Sequence, residues 1–357
     1  MISNNTPPPH ISLSDTHSAP CADSINALLV YEKITMHINI GDYIQSIAAR
    51  QFLCNPSAYL HREHLDKYQG EPVRIIMNAW YMHRTGHFPP SDNIVPLPIS
   101  MHINSAATDI MLTPESIAWF KVHEPIGCRD LYTVRLLERQ GIRAYFSGCL
   151  TLTLGKTYHR VNPGNTVYFV DPWIYADKRD TPFIIRTALF CVTHLKLVKH
   201  VRAKKYRKKT LRSTLLAAAF CRQYRALVGD RVLLEAEYIT HDYPPGHDDR
   251  YYIAEAERLL ALYAQAKSVI TSRIHCALPC TGIGTPVVYI HNDNADEGSL
   301  CRMDGLLELL NVVRFDKGRC SNTAGIDLLH PPLKNAHLAL KEALMRTCHE
   351  FAQGNHA

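Results

Sequence analysis

The chain has 357 residues, 46% of them apolar and 20% charged, an ordinary composition for a soluble globular enzyme and a comfortable length for two domains. Thirty-nine Lys and Arg against 33 Asp and Glu leave a net charge of +6, which suits an anionic substrate or an acidic membrane face and does not by itself argue for nucleic acid. No apolar run approaches the roughly 20 residues needed to span a bilayer, which predicts a soluble or at most peripheral chain. Eleven cysteines at irregular spacing form no paired C-x-x-C motif, so a zinc ribbon is not expected and free buried thiols in a reducing cytosol are. Cys276 and Cys280, four apart, read as a same-face packing pair.

Residues 1–25 are rich in Pro, Ser, Thr and Asn. They lack the basic and apolar segments of a secretory signal and read as a disordered tail. Residues 27–31 are strand-like. In INIGDYIQSIAARQFL (38–53) Asp42 can cap a helix whose Ile44, Ile47, Ala48 and Phe52 share a face. VRIIMNAW (73–80) reads as a buried strand, and IVPLPISMHI (94–103) as an edge or broken strand because of its prolines. A short helix is expected over 114–123. Then PIGCRDLYTVRLLERQGIRAYFSGCLTLTL gives strand–helix–strand, with Asp130 as cap and Gly141 as stop. VYFVD (167–171) opens a second set, followed by a mainly helical 181–228, a strand over 232–240 and a helix over 250–266. SVITSRIHCALPCTGIGTPVVYI (268–290) reads strand, turn, short helix, turn, strand, and a last helix is expected over 333–351.

Such alternation implies an α/β fold with parallel sheets. Two blocks in series suggest two Rossmann-like domains, 26–160 and 161–330, joined near 152–166, with a C-terminal helix in 331–357.

Ligands in open parallel sheets bind beyond the carboxyl ends of strands. T-S-R-I-H-C (271–276) has that position and precedes a helix N-terminus. Arg273 supplies a planar fork for carboxylate or phosphate, His275 a group that holds or passes a proton, and Ser272 a neighbouring hydroxyl. The plainer alternative is an ion-paired Arg273 and a core histidine. Arg129 and Asp130 in G-C-R-D repeat the architecture, with cap and surface pair as the alternative. Gly41, Asp42 and Gln45 in G-D-Y-I-Q form a third turn, where Gly41 permits close backbone approach and Asp42 and Gln45 suit sugar hydroxyls. His241 follows another strand on the same side. Residues 196–212 hold nine Lys or Arg and no acid, which suits an anionic membrane surface or, otherwise, a solvated helix face. No nucleic-acid-binding signature accompanies them.

GCRDLYTVRLLERQGIRAYFSGCLTLTL, the run YYIAEAERLLALYAQAKSVITSRIHCALPCTGIGTPVVYI, and the earlier NIGDYIQSIAARQFL and IMNAWYM…PPSDNIVPLPISMHI together resemble the polysaccharide pyruvyltransferase family. The likeness spans about 38–315, is weak over 172–230 and is absent from the first 25 residues. It implies two Rossmann-like domains facing across a cleft, similar to GT-B glycosyltransferases, with 26–160 on the acceptor side and 161–330 on the phosphoenolpyruvate side. It further implies transfer of a pyruvyl group from phosphoenolpyruvate to a sugar hydroxyl pair as a cyclic ketal in cell-surface polysaccharide biosynthesis. The S-R-x-H donor motif of the family falls on Arg273 and His275, with Ile274 where Leu is common. Catalytic roles are then expected of His275, Arg273 and Asp42, and substrate contacts of Ser272, Arg129, Asp130, Gly41, Gln45 and His241. The expected donor is phosphoenolpyruvate, the acceptor a sugar that can be lipid-linked, with no metal, cofactor or nucleic acid. A cytoplasmic location follows, peripheral at the inner membrane face if 196–212 binds lipid. The rival readings are a GT-B glycosyltransferase using a nucleotide sugar and a non-catalytic carbohydrate-binding partner.

Overall fold

A computed structural model describes residues 25–31, 37–81, 87–177, 180–206, 209–316 and 319–354. The expected tail over 1–25 lies, but for Ile25, outside the described residues, as do Arg207 and Lys208 of the basic run.

Two sheets organise the chain. In the first half, β1 (Ile25–Val30), β2 (Ala58–His61), β3 (Val73–Ile76) and β4 (Ile94–Leu97) form a parallel sheet in the order β2-β1-β3-β4. β4 lies at the edge, where Pro96 removes no ladder bond. Between β1 and β2 runs α1 (Ile40–Arg50). α2 (Pro114–Val122) is capped by Thr113. Next come β5 (Ile126–Cys128), α3 (Leu131–Glu138) and β6 (Ala144–Phe146), with β5 and β6 parallel. Gly141 ends the helical turn at φ +69°, a conformation that favours glycine.

The second sheet uses β7 (Val167–Val170), then α4 (Thr181–Thr193), α5 (Leu195–Tyr206) and α6 (Leu211–Glu235), then β8 (Glu237–Ile239). α7 (Asp249–Gln265), β9 (Ser268–Thr271), α8 (Ile274–Ile283), β10 (Val287–Asn292), β11 (Asn311–Asp316) and β12 (Arg319–Ser321) follow. The order is β8-β7-β9-β10-β11-β12, parallel except for the last pair. α9 (Leu338–Ala352) closes the described chain.

Successive side chains of this sheet belong to different cores. Val269, Val287 and Tyr289 join a cluster that continues into the first half, while Ile270, Val288 and Ile290 join Phe169, Phe220 and Tyr224 beneath α5 and α6. Apolar residues on both faces are what a covered parallel sheet requires. α9 sends Leu344, Cys348 and Phe351 into the cluster shared by both halves.

Three expectations are corrected. Asn39, not Asp42, caps α1, its side chain accepting from Gly41 N at 3.1 Å; Asp42 sits in the first turn. The strand expected over 232–240 is helical to Glu235, and only 237–239 are extended. There Leu233 reaches the core helically, and Leu233, Leu234 and Glu235 are good helix formers, so the short apolar run marks a buried helical turn. Nine described cysteines are free, seven of them buried, but Cys54 is disulfide-bonded, its partner outside the described residues.

Candidate active site

The two halves meet where a short antiparallel pair joins residues 38–39 to 242–243, and where the amide of Ile40 donates to the carbonyl of His241 at 2.9 Å. Gly41 sits close against both histidines at this seam. A Cβ there would lie 3.0 Å from the Cβ of His275 and 3.4 Å from Nδ1 of His241, so any larger residue would press the start of α1 against the His275 side chain.

Around this seam is a compact polar pocket. Asn39, Asp42, Trp80 and Arg129 line it from the first half; His241, Arg273, Ile274, His275 and Arg302 line it from the second. Asp171, just past β7 at φ +41°, organises the second-half wall. Its Oδ2 accepts from the amide of His241 at 2.8 Å and from Nε of Arg273 at 3.0 Å. Arg273 Nη2 also donates to Asp242 at 2.6 Å. Burial works against the Arg273 charge, but the two aspartates more than offset it and hold its pKa above the usual arginine value.

Arg129 is fully buried. Burial pushes its pKa down, and its Nη1 donates to Nε2 of His275 at 3.4 Å. Its Nε lies 3.9 Å from Asp130 and has no hydrogen-bond partner. Among the described residues Arg302 makes no ion pair. His275 is therefore surrounded by cations. Burial first, then Arg129, Arg302, His241 and His102, hold its pKa well below the usual histidine value, so the ring is neutral near pH 7.

A matching family model is that of polysaccharide pyruvyl transferase, over residues 94–294, more than half of the chain. The chain belongs to this family. The matched span carries Arg129, Asp130, His241, Ser272, Arg273 and His275; Gly41, Asp42, Gln45 and Arg302 fall outside it. No curated protein and no solved structure matches the chain.

Of the nine residues expected at a pyruvyl transferase site, Asp42, Arg129, His241, Arg273 and His275 line one pocket, and Gly41 seats α1 against two of them. The other three do not line it. Ser272 Oγ donates to Ile290 O at 2.7 Å and accepts from the Trp173 amide at 2.8 Å, tying β9 to β10 and to the chain after β7. Gln45 is buried and donates to Asp42 at 3.2 Å. Asp130 caps α3, accepting from the Thr133 amide at 2.9 Å, and accepts from Nδ1 of His102 at 2.6 Å.

That last contact concerns a residue without a sequence signal. Burial, against the opposing pull of Asp130, lowers the His102 pKa to about 4. Its Nδ1–H points at the carboxylate, so Nε2 is left as a buried acceptor with no partner. Trp80 stacks on its ring. Asp171 and Arg302 were likewise not anticipated. Asp171 had a readable signal, a carboxylate at the carboxyl end of the strand beside β9; Arg302 sits in a loop with none. Among the described residues, the one group with metal-ligand geometry is His64, Asp66 and His87, which does not line the pocket.

Proposed function

We propose that the chain transfers a pyruvyl group from phosphoenolpyruvate to two hydroxyls of one sugar, closing a cyclic ketal during cell-surface polysaccharide synthesis. The observation that carries this reading is the charge of the pocket: three arginines line it, and Asp42 is the one acid among its described lining residues. A small ligand bearing both phosphate and carboxylate is the complement of such a surface.

A proton adds to C3 of phosphoenolpyruvate and makes C2 electrophilic. One sugar hydroxyl oxygen attacks C2, the bond from C2 to the phosphate oxygen breaks, and the second hydroxyl closes the ketal. The two protons lost by the hydroxyls match one gained at C3 and one carried by the departing phosphate.

Arg129 and Arg302, neither held by a close carboxylate bond, take the donor's anionic groups, while Arg273, already shared between Asp171 and Asp242, keeps the wall in place and completes the positive field. Burial first, and then the cations around it, keep His275 neutral in the pocket. A bound trianion reverses that field, raises the His275 pKa and makes it the acid for C3. Asp42, in the first turn of α1, is the base facing the acceptor. Asp130 acts at one remove, orienting His102.

In this reading the two sheets are halves of a GT-B-like arrangement, with acceptor on the first and donor on the second, the enzyme works in the cytoplasm, and no metal or organic cofactor takes part. The test is incubation with phosphoenolpyruvate and candidate glycans, with phosphate release and product mass as readouts. Equimolar phosphate and pyruvylated glycan, unaffected by a chelator, is the expected result. Turnover of a nucleotide sugar with phosphoenolpyruvate untouched would replace the reading by glycosyl transfer.

A further inference from the structure

α4 is unusual in what it leaves outside. Of its thirteen residues only Phe183 and Thr187 are buried. Ile185, Leu189 and Val192, at i, i+4 and i+7, are 62%, 64% and 75% exposed, and Ile184 beside them and Leu195 at the start of α5 are also exposed. Among the described residues no single helix is long and apolar enough to cross a membrane; α4 and α5 together reach that length and composition but meet at 102°. A helix with one apolar stripe, broken from its neighbour at such an angle, fits the plane of a lipid interface rather than a span across it.

The charge around it is one-sided. Residues 181–229 hold twelve Lys and Arg and no Asp or Glu, so the rest of the chain is net negative by six. Some of these cations are occupied: Lys204 pairs with Glu237, Arg225 with Asp230, and Lys205 lies over the rings of Phe220 and Tyr238. Arg186, Lys196, Lys199, Lys209 and Arg212 are exposed and form no ion pair among the described residues.

We infer that α4 and the start of α5 dock on an anionic bilayer, with the Ile185–Leu189–Val192 stripe among the acyl chains and Lys196 and Lys199 at the headgroups. The apolar stripe separates this from a purely electrostatic patch, because insertion resists salt that would release charge contacts alone. The inference stands independently of which group the pocket transfers.

Sedimentation with phosphatidylcholine vesicles, with and without phosphatidylglycerol, tests it. Binding to the anionic vesicles that persists in part at high salt is expected. A Leu189→Glu/Val192→Glu variant, folded by circular dichroism, should lose at least tenfold in bound fraction, and Lys196→Glu/Lys199→Glu should lose the preference for anionic lipid. No binding by the natural protein, or unchanged binding by both variants, overturns the inference. So does a dimer in light scattering that Leu189→Glu/Val192→Glu converts to monomer, since the stripe would then be covered by a second copy.

Discussion

His275 sits 3.4 Å from a buried guanidinium, with its pKa pushed down by burial and then by Arg129 and Arg302. Filling the pocket with an anion offsets the part of that penalty due to the arginines, so phosphoenolpyruvate binding should be accompanied by proton uptake. Calorimetry in buffers of different ionisation enthalpy reads this directly, and a buffer-independent heat would refute it. Arg302 gives the cleanest single-residue test because it makes no ion pair among the described residues. Arg302→Ala should weaken phosphoenolpyruvate binding about 10–100-fold, the loss of a charge-assisted hydrogen bond, with little change in thermal stability. Arg273 and His275 were legible in sequence because strand, turn and helix N-terminus stand together in a dozen residues. His102 was not, because it is placed by Asp130, 28 residues along the chain, and Arg302 was not, because it follows a short helical turn in a loop with no motif around it.

α8 carries Ile274 and His275 at its start and meets the 150–156 segment at its end. A Cβ on Gly282 would lie 2.2 Å from the carbonyl oxygen of Leu152, and one on Gly155 would lie 2.2 Å from the carbonyl oxygen of Gly282. Backbone here packs on backbone, with no flexible side chain to yield. Gly282→Ala should therefore cost about 3 kcal/mol or more in denaturant unfolding, at the upper end of overpacking effects; a cost below about 1 kcal/mol would contradict the close seam. Period and capping made α3, α7 and the strands around α8 readable from the sequence. Over 232–240 a short apolar run does not by itself tell a buried helical turn from a strand, and core burial of Leu233 on a helix decides it.

Acid should loosen the whole molecule. The pKa values of His102, His275, His291, His337 and His349 are all depressed, chiefly by burial. The unfolded chain binds protons at these positions near pH 6.5 while the folded chain does not, so stability is full above that pH and is lost as pH falls toward 4. His102 alone, lowered to about 4, accounts for on the order of 3 kcal/mol. Denaturant midpoints at pH 7.5 and 4.5 check this, and equal midpoints would contradict it. At this scale the sequence showed the α/β class and the family. It did not show that residues 38–39 and 242–243 pair, which brings Asp42 into one pocket with His275, because two-residue strands leave no periodic signal.

If the arginine-lined pocket holds the donor, it binds phosphoenolpyruvate. The most direct measurement is phosphoenolpyruvate titration by calorimetry, with and without glycan acceptors, on the natural protein and on Arg302→Ala. One equivalent bound by the natural protein, weakened at least tenfold in the variant, is the predicted result. No binding with any acceptor present, or equal binding by both proteins, would contradict the account.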